Sequence, residues 1–528
     1  MTQLLHELYQ HTAIHDPDQV ALGFKAQTIT YKALASAVQL TATALQQSDL
    51  RRFERVAIYL PKLPEAVFTF FGCSMAGGTF VPINPILKPA QVRYILQDCN
   101  VRVLITQRAR LQQLMDELRH CHDIRLVVCV DDVPEEHHLP CPVISWQQWL
   151  NTSPKPIATA TIDTDMAAIL YTSGSTGRPK GVVLSHRNMV TGAHSVAQYL
   201  ENTSKDRLLA VLPMSFDYGL SQITTAFSRG ASCFLMDYLL PKDVIRAVQR
   251  YQITGLAAVP PLWVQLAELE WPEETKDSLR YITNSGGAMP TATLSKLRNA
   301  LPKTQPYLMY GLTEAFRSSY LPPGELEKRP TSMGKAIPNA ELLVINEAGE
   351  ECEPHEPGEL VHRGSLVAMG YWNDTEKTQL RFRPSPTKLS GVPTEELAVW
   401  SGDIVKKDEE GFLYFIGRND DMIKTSGYRV SPSEVEEVVY ASGLVGEVAA
   451  LGIPHPQLGQ AIVLAVTSPQ PDNTVDEVAV INTCKAQLPG FMVPTQLQCL
   501  PTLPRNPNGK IDRKLLTSQF QTLFGVND

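Results

Sequence analysis

The densest concentration of chemically competent residues in the chain is a hydroxyl- and glycine-rich segment, LYTSGSTGRPKGVVLSH (170–186). It leaves one apolar run, MAAILY, and enters a second through a single lysine. Gly174, Gly177 and Gly181 let backbone N–H groups turn inward, Thr172, Ser173, Ser175 and Thr176 add hydroxyl donors, and Lys180 adds charge. Inward amides, hydroxyls and one cation are what a polyphosphate requires, so the segment is expected to cradle phosphates. It is not a Walker A loop, which needs Ser or Thr directly after the lysine, where Gly181 stands.

A second candidate is Asp217, in MSFDYGLSQ (214–222). An aspartate held among apolar residues needs a cationic partner. The competing reading is a helix-capping or structural aspartate.

The elements that must position these residues are short β-branched runs alternating with helical patterns between residues 50 and 370. RVAIYL (55–60), VRVLIT (101–106), IRLVVCV (124–130), RLLAVLP (207–213) and AELLVIN (340–346) are the strand candidates. PEAVFTFFGCSMAG (64–77) and PAQVRYILQDC (89–99) are helix candidates. Runs this apolar, separated by helices, imply strands buried on both faces of a largely parallel α/β sheet. Two Pro/Ser/Thr-rich stretches, 151–165 and 383–396, read as loops. Past residue 420 the pattern changes: SPSEVEEVV (431–439) has Ser431 as N-cap, Pro432 at the first helical position and Glu434 placed for a capping box. VAALGIP, AIVLAVTS and a further helix follow, which predicts a small C-terminal α+β domain, 420–528, after a large α/β domain, 1–419.

The bulk composition narrows the class. The 528 residues suffice for a large core without staples, and 43% hydrophobic with 19% charged residues is wrong for disorder. With 47 basic against 55 acidic residues the net charge is −8, which argues against a nucleic-acid-coating protein. No run approaches the ~18 apolar residues of a membrane span, and the first residues lack a secretion signal's basic start and apolar stretch. Nine cysteines with no CxxC pair point to reduced thiols and a cytoplasmic setting. His120-Cys121-His122 lacks a second ligand group at suitable spacing, so no metal cage is expected there.

The phosphate-loop candidate is one of a series. AGGTFVPINP (76–85), YGLTE (310–314), GELVHRGSLVAMGYW (358–372), WSGD (400–403), GRNDDMIKTSGYRVSPSEVE (417–436) and PRNPNGKIDRK (504–514) follow in order. Together they make nearly the whole chain resemble the adenylate-forming superfamily: acyl-CoA synthetases, adenylation domains of nonribosomal peptide synthetases, and luciferases. The resemblance implies a mobile C-terminal domain, ATP and Mg2+, and two half-reactions. A carboxylate and ATP give acyl-AMP and pyrophosphate, and a thiol then takes the acyl group.

By the same resemblance, Tyr310 stacks on adenine, Gly286 and Gly287 line the adenine slot, Thr313 bonds the α-phosphate and Glu314 holds Mg2+. Asp403 receives the ribose hydroxyls with Arg418 nearby, and Lys510 stabilises the charge that develops between carboxylate and α-phosphate. Asp420 stands at the hinge, and Lys424 and Gly427 flank the thiol's path. The acid slot is carried over as Asp217, Tyr218, Ser221, Leu262, Thr283, Ser285, Met309, Arg317 and Ser318, with Leu262 and Met309 suggesting a modest apolar volume. Arg317 is read either as a partner for an acidic substrate side chain or as a supporting residue that leaves the slot neutral.

Amino-acid-activating members carry a motif like FDxS, which by the resemblance places Asp217 to pair with a substrate α-ammonium, and FDYG departs from that motif at Gly219. SFDYGL and MYGLTEAFRSSYLPP are similar to free-standing prolyl-AMP ligases of secondary-metabolite pathways, so L-proline is the expected substrate. Only 15 residues follow Arg513, too few for a carrier domain, so the acceptor is expected to be a separate phosphopantetheinylated carrier protein or CoA. The alternative is an AMP-forming acyl-CoA ligase for a non-amino acid.

Overall fold

Side chains of the central strands of one sheet are shared between two different cores, and that is why these runs are apolar throughout. The structure is a computed structural model describing residues 2–525, apart from 136–138, 154, 156–159, 173–178, 290, 388–389, 419–421, 470–473 and 505–510. Arg55–Ile58 and Val101–Thr106 send Val56, Ile58, Val103 and Ile105 to one cluster and Ala57 and Leu104 to the other.

These strands belong to an eight-stranded sheet. Its order is Gly370–Tyr371, Lys180–Ser185, Met166–Thr172, Thr79–Pro82, Arg55–Ile58, Val101–Thr106, Leu126–Cys129 and Val143–Ser145. From Met166–Thr172 to Val143–Ser145 every neighbour is parallel. The helices Pro64–Met75 and Pro89–Asp98 both begin on proline, whose fixed φ suits the first helical position and whose missing N–H has no partner to lose there. A nine-stranded sheet supplies the second layer, with Gln305–Tyr310, Tyr281–Asn284, Gly255–Ala258, Arg207–Ala210, Ser232–Leu235 and Val20–Phe24 parallel at its centre.

AELLVIN does not join either parallel sheet. Ala340–Ile345 pairs antiparallel with Gly358–Gly364 in a five-stranded sheet completed by Leu397–Lys407, Phe382–Pro384 and Leu413–Arg418. An apolar β-branched run suits either kind of ladder, so composition alone misassigned it. The stretch read as a loop from 383 likewise begins inside a strand, Phe382–Pro384.

Leu413–Arg418 is the last strand of the large domain, and Ile423–Thr425 is already in another sheet, with Tyr428–Val430, Gly459–Val466, Val448–His455 and Gln496–Cys499. Two hydrophobic clusters here are built wholly from residues beyond 420, so the smaller domain has its own core. Its helix Pro432–Ala441 starts at Ser431 as expected, but the capping box does not form. Glu434 instead accepts a bond from Gln91 Nε2 of the large domain at 3.1 Å.

All nine cysteines are unpaired and seven are buried. Among the described residues no trio of His, Cys, Asp or Glu is placed to hold a metal ion, and no helix is long and apolar enough to cross a membrane.

Candidate active site

Met166–Thr172 and Lys180–Ser185 pair antiparallel with Thr172 opposite Lys180, so the two ends of the hydroxyl-rich segment meet. Ser173, Gly174, Ser175, Thr176 and Gly177 lie outside the described residues. Gly181 does not turn an amide inward: it sits in the strand, where a Cβ would stand 2.6 Å from Ile169 Cγ2, so glycine permits close packing. Ser185 caps the next helix, His186–Tyr199, accepting from Asn188 N while Asn188 Oδ1 accepts from Ser185 N at 2.8 Å. Asn188 Nδ2 also donates to the carbonyls of Ser365 and Val367, each at 2.8 Å, which draws the 358–372 segment against the hairpin and sets Tyr371 beside Lys180.

A cleft of about 480 Å3 opens here, walled by both domains. The structure brings Thr172, Lys180, Asp217, Tyr218, Ser285, Gly286, Gly287, Met309, Tyr310, Thr313, Glu314, Arg317 and Lys424 together on its lining. The Tyr310 hydroxyl donates to Asp403, a fully buried carboxylate. Asp403 stands opposite Arg418 in the Leu397–Lys407/Leu413–Arg418 ladder, and of Arg418 only the backbone is described. Lys510 and Asp420 fall outside the described residues.

On one wall the Tyr371 hydroxyl donates to Glu314 Oε1 at 2.5 Å and accepts from Lys180 Nζ at 3.3 Å. Burial alone would raise the Glu314 carboxyl, but Lys180, Arg381 and Arg429, with the Tyr371 bond, outweigh it and hold the pKa down at about 2. Glu314 is therefore ionised throughout the physiological range. An ionised carboxylate beside the Thr313 hydroxyl, both on the cleft wall, fits Mg2+ carried by the phosphates of ATP, which needs one or two protein oxygens.

The other buried carboxylate behaves oppositely. Asp217 is the first residue of helix Asp217–Ser228, with Phe216 as N-cap, so it is not the capping residue. Its Oδ2 accepts from Arg317 Nη1 at 2.8 Å, and Arg317 Nη2 donates to Ser221 Oγ at 3.1 Å. The ion pair is internal, with side-chain exposures of 2% for Arg317 and 6% for Asp217. The cation that a buried aspartate requires thus already comes from the chain. Arg317 is thus paired within the chain, and the need for a cation no longer implies a substrate ammonium by itself. Burial nevertheless pushes the Asp217 carboxyl above the usual range, against the pull of Arg317. Gly219 has a steric reason: a Cβ would lie 2.0 Å from the Pro213 carbonyl oxygen.

Four of the carried-over slot residues do not line the cleft. Leu262, in helix Pro260–Ala267, packs into the main core. Ser318 Oγ bonds His362 Nδ1 at 2.9 Å, and Ser221 serves Arg317. Thr283 Oγ1 meets the Tyr218 hydroxyl at 2.6 Å behind the wall. The apolar lining comes instead from Phe216, Met289, Leu308, Met309 and Leu312.

Sequence reasoning missed Tyr371, Arg381, Arg429 and Glu434, all on the cleft or in contact with its carboxylates. Tyr371 and Arg429 stand inside quoted motifs, so the signal was present. Arg381, ending helix Thr375–Arg381, belongs to none.

Lys424 and Gly427 line both this cleft and a neighbouring one between the domains, bounded by Pro260, Val264, Gln457 and Thr517. Gly427 has φ +81, and a Cβ there would come within 2.8 Å of Val259 Cγ1 of the large domain.

Residues 9–372 match the AMP-binding enzyme family, and 434–510 match the AMP-binding enzyme C-terminal domain. Gramicidin S synthase 2 of Aneurinibacillus migulanus is 27% identical over 97% of this chain, which spans only 11% of that protein's length. The long-chain-fatty-acid–CoA ligase of Salmonella typhimurium is 28% identical, covering 98% of this chain and 94% of the ligase. Among solved structures, a double mutant of o-succinylbenzoate CoA synthetase from Bacillus subtilis, bound with its CoA product analogue, is 26% identical over 97% of both chains with a TM-score of 0.83. The same synthetase in complex with its acyl-adenylate intermediate gives 0.68.

Proposed function

Because the chain belongs to the AMP-binding enzyme family, an adenylate-forming family that uses ATP and Mg2+, we propose that it activates a small amino acid, L-proline foremost. The product is an aminoacyl-AMP with release of pyrophosphate, and the aminoacyl group passes to the phosphopantetheine thiol of a separate carrier protein in nonribosomal, secondary-metabolite synthesis. The observation that carries the amino-acid reading is the Asp217 carboxyl on the cleft lining, held from one side by Arg317. Arg317 engages one carboxylate oxygen, yet burial still drives the carboxyl upward, so a second cation at this end of the cleft is stabilising. Proline's ammonium fits that need, and Met309, Leu308 and Phe216 offer an apolar wall for its ring.

The roles are those of the family resemblance, and the presence of Tyr310, Thr313, Glu314 and Lys180 on the cleft supports them. Tyr310 takes the adenine face with Gly286 and Gly287, Asp403 the ribose with Arg418, and the 172–180 segment with Thr313 and Lys180 the phosphates. Glu314 holds Mg2+, which shields the phosphate oxygens when bound. Lys510 supplies the positive charge at the reacting carboxylate. Domains 1–419 and 420–528 turn about Asp420, and the better match to the CoA-product complex than to the acyl-adenylate complex supports the thiol-accepting orientation here. In that orientation Lys424 and Gly427 face the thiol's path. Nine unpaired cysteines support a cytoplasmic setting.

A second reading is favoured by the Asp217–Arg317 pair itself. If that pair closes the charge balance, the slot is neutral and takes a non-amino carboxylic acid, with CoA as acceptor, as the likeness to CoA ligases supports. Pyrophosphate exchange across twenty amino acids and a set of simple carboxylic acids, followed by transfer to CoA or a carrier protein, separates the two. Exchange with proline and loading of the carrier establishes the first reading; exchange confined to non-amino acids with CoA establishes the second.

A further inference from the structure

We propose that Tyr371 is a positioning residue of the adenylation site, its phenol holding the Glu314 carboxylate and the Lys180 ammonium in one array around the bound polyphosphate. The inference rests on Glu314 taking Mg2+. A phenol can donate one hydrogen bond and accept others. Here it donates to Glu314 Oε1 at 2.5 Å and accepts from Lys180 Nζ at 3.3 Å, while the same ammonium lies 4.5 Å from the ring centroid. One side chain thereby fixes the spacing between the residue read as the metal carboxylate and the phosphate-loop lysine.

The phenol is itself held from three directions, so its hydroxyl is not a swinging contact. Tyr371 pairs with Val182 in the strand that begins at Lys180, and Trp372 N donates to Gly181 O at 2.7 Å. Its backbone N donates to Thr378 Oγ1 at 2.9 Å, and its ring meets Phe382 edge-on at 5.5 Å. The side chain is buried, with the residue 6% exposed. With Oε1 committed to the phenol, a hard cation approaching Glu314 is directed to Oε2, and the carboxylate plane is set before ATP arrives. Preorganisation of this kind lowers the cost of assembling Mg2+–ATP rather than adding a new contact to substrate.

Tyr371→Phe tests the inference, because it keeps the ring, its packing and its contact with Lys180 while removing the hydroxyl. Binding of a fluorescent ATP analogue is titrated with Mg2+ for wild type, Tyr371→Phe, Glu314→Gln and the double variant. The expected result is a rise of about tenfold in half-saturating Mg2+ for Tyr371→Phe, the size of one hydrogen bond to a charged group. Glu314→Gln should rise at least as far, and the double variant no further than Glu314→Gln alone. Transfer from supplied acyl-AMP to thiol should stay at the wild-type rate in Tyr371→Phe. A wild-type Mg2+ requirement in Tyr371→Phe, with Glu314→Gln impaired, overturns the role of Tyr371 alone. A wild-type requirement in Glu314→Gln overturns the metal placement and this inference with it. Additive effects in the double variant assign Tyr371 a separate packing role and also overturn it.

Discussion

Glu314 and Asp217 are two buried carboxylates on one cleft, 5% exposed each, and their proton affinities move in opposite directions. Burial pushes both upward. Glu314 answers with Lys180, Arg381 and Arg429 and a phenol bond, and ends at about 2. Asp217 has Arg317 close by and Arg429 as a lesser influence, and ends raised. Burial therefore does not decide protonation here; the number of nearby cations does. The wall with surplus positive charge suits a triphosphate and its metal, and the proposed amino-acid reading rests on the other end. Environments that push paired acids apart are how one site assigns two roles.

The largest way to break the comparison is to remove the carboxylate from the cation-rich wall. Glu314→Gln is expected to slow pyrophosphate exchange by about 10²–10³-fold, the range for losing one preorganised group that acts on transition-state charge. Transfer from supplied acyl-AMP should be spared. Exchange within a few-fold of wild type would mean that the cations serve the phosphates directly and Glu314 only balances them.

At the other end, Asp217→Asn should raise the KM for proline by about 10²-fold, since it removes the charge that an ammonium meets while leaving Arg317 unbalanced. Cyclopentanecarboxylate should be poor for wild type and relatively less disfavoured by the variant. The single change also destabilises, because Arg317 loses its partner. Asp217→Asn combined with Arg317→Met should recover the urea midpoint but not proline binding. Recovery of both would make the pair purely structural. The pH profile sharpens the same point. Asp217's folded pKa is raised, so it protonates earlier as pH falls and kcat/KM for proline should show an acid limb above the ordinary carboxylate range. Glu314, at about 2, stays charged and contributes no such limb.

What the sequence disclosed follows from how local each feature is. Val101–Thr106 forms over the span read for it because a buried parallel strand is written in consecutive residues. Pro64 and Pro89 announce their helices for the same reason. Gly219 could be recognised only as a departure, because its cause, the Pro213 carbonyl, is a contact and not a spacing. The Asp217–Arg317 bond joins positions 100 residues apart, so a charge need was legible but its supplier was not. Tyr371 lay in plain sight within a motif, and only the fold brings it to Lys180, 191 residues earlier. Glu434 shows the opposite error: a sound local pattern, the capping box, was displaced by a contact with Gln91 on the other domain.

A third buried group, remote in role from both carboxylates, tests whether missing counter-charge has the same consequence for a base. His6 Nδ1 lies 3.0 Å from Ser74 Oγ, and His186 Nδ1 accepts from Leu5 N at 3.2 Å, the two rings meeting edge-on at 6.5 Å. Burial lowers His6 to about 4 in spite of Glu7, and burial with His6 nearby lowers His186 to about 4. A histidine whose folded pKa lies below its unfolded value binds its proton preferentially in the unfolded chain. Its contribution is complete above the unfolded value near 6.5 and is lost as pH falls from there toward 4. Between about pH 7 and 5 one such group costs about 2 kcal/mol, at roughly 1.36 kcal/mol per unit of differential binding. Urea unfolding of the large domain at about pH 7 and pH 5 should show that loss, and His186→Gln, which keeps an acceptor for Leu5 N, should show less of it. An identical pH dependence in the variant would mean that His186 is protonated without penalty in the folded state. The rule drawn from Glu314 and Asp217, that a buried ionisable group follows its supply of counter-charge, would then not extend to this corner of the molecule.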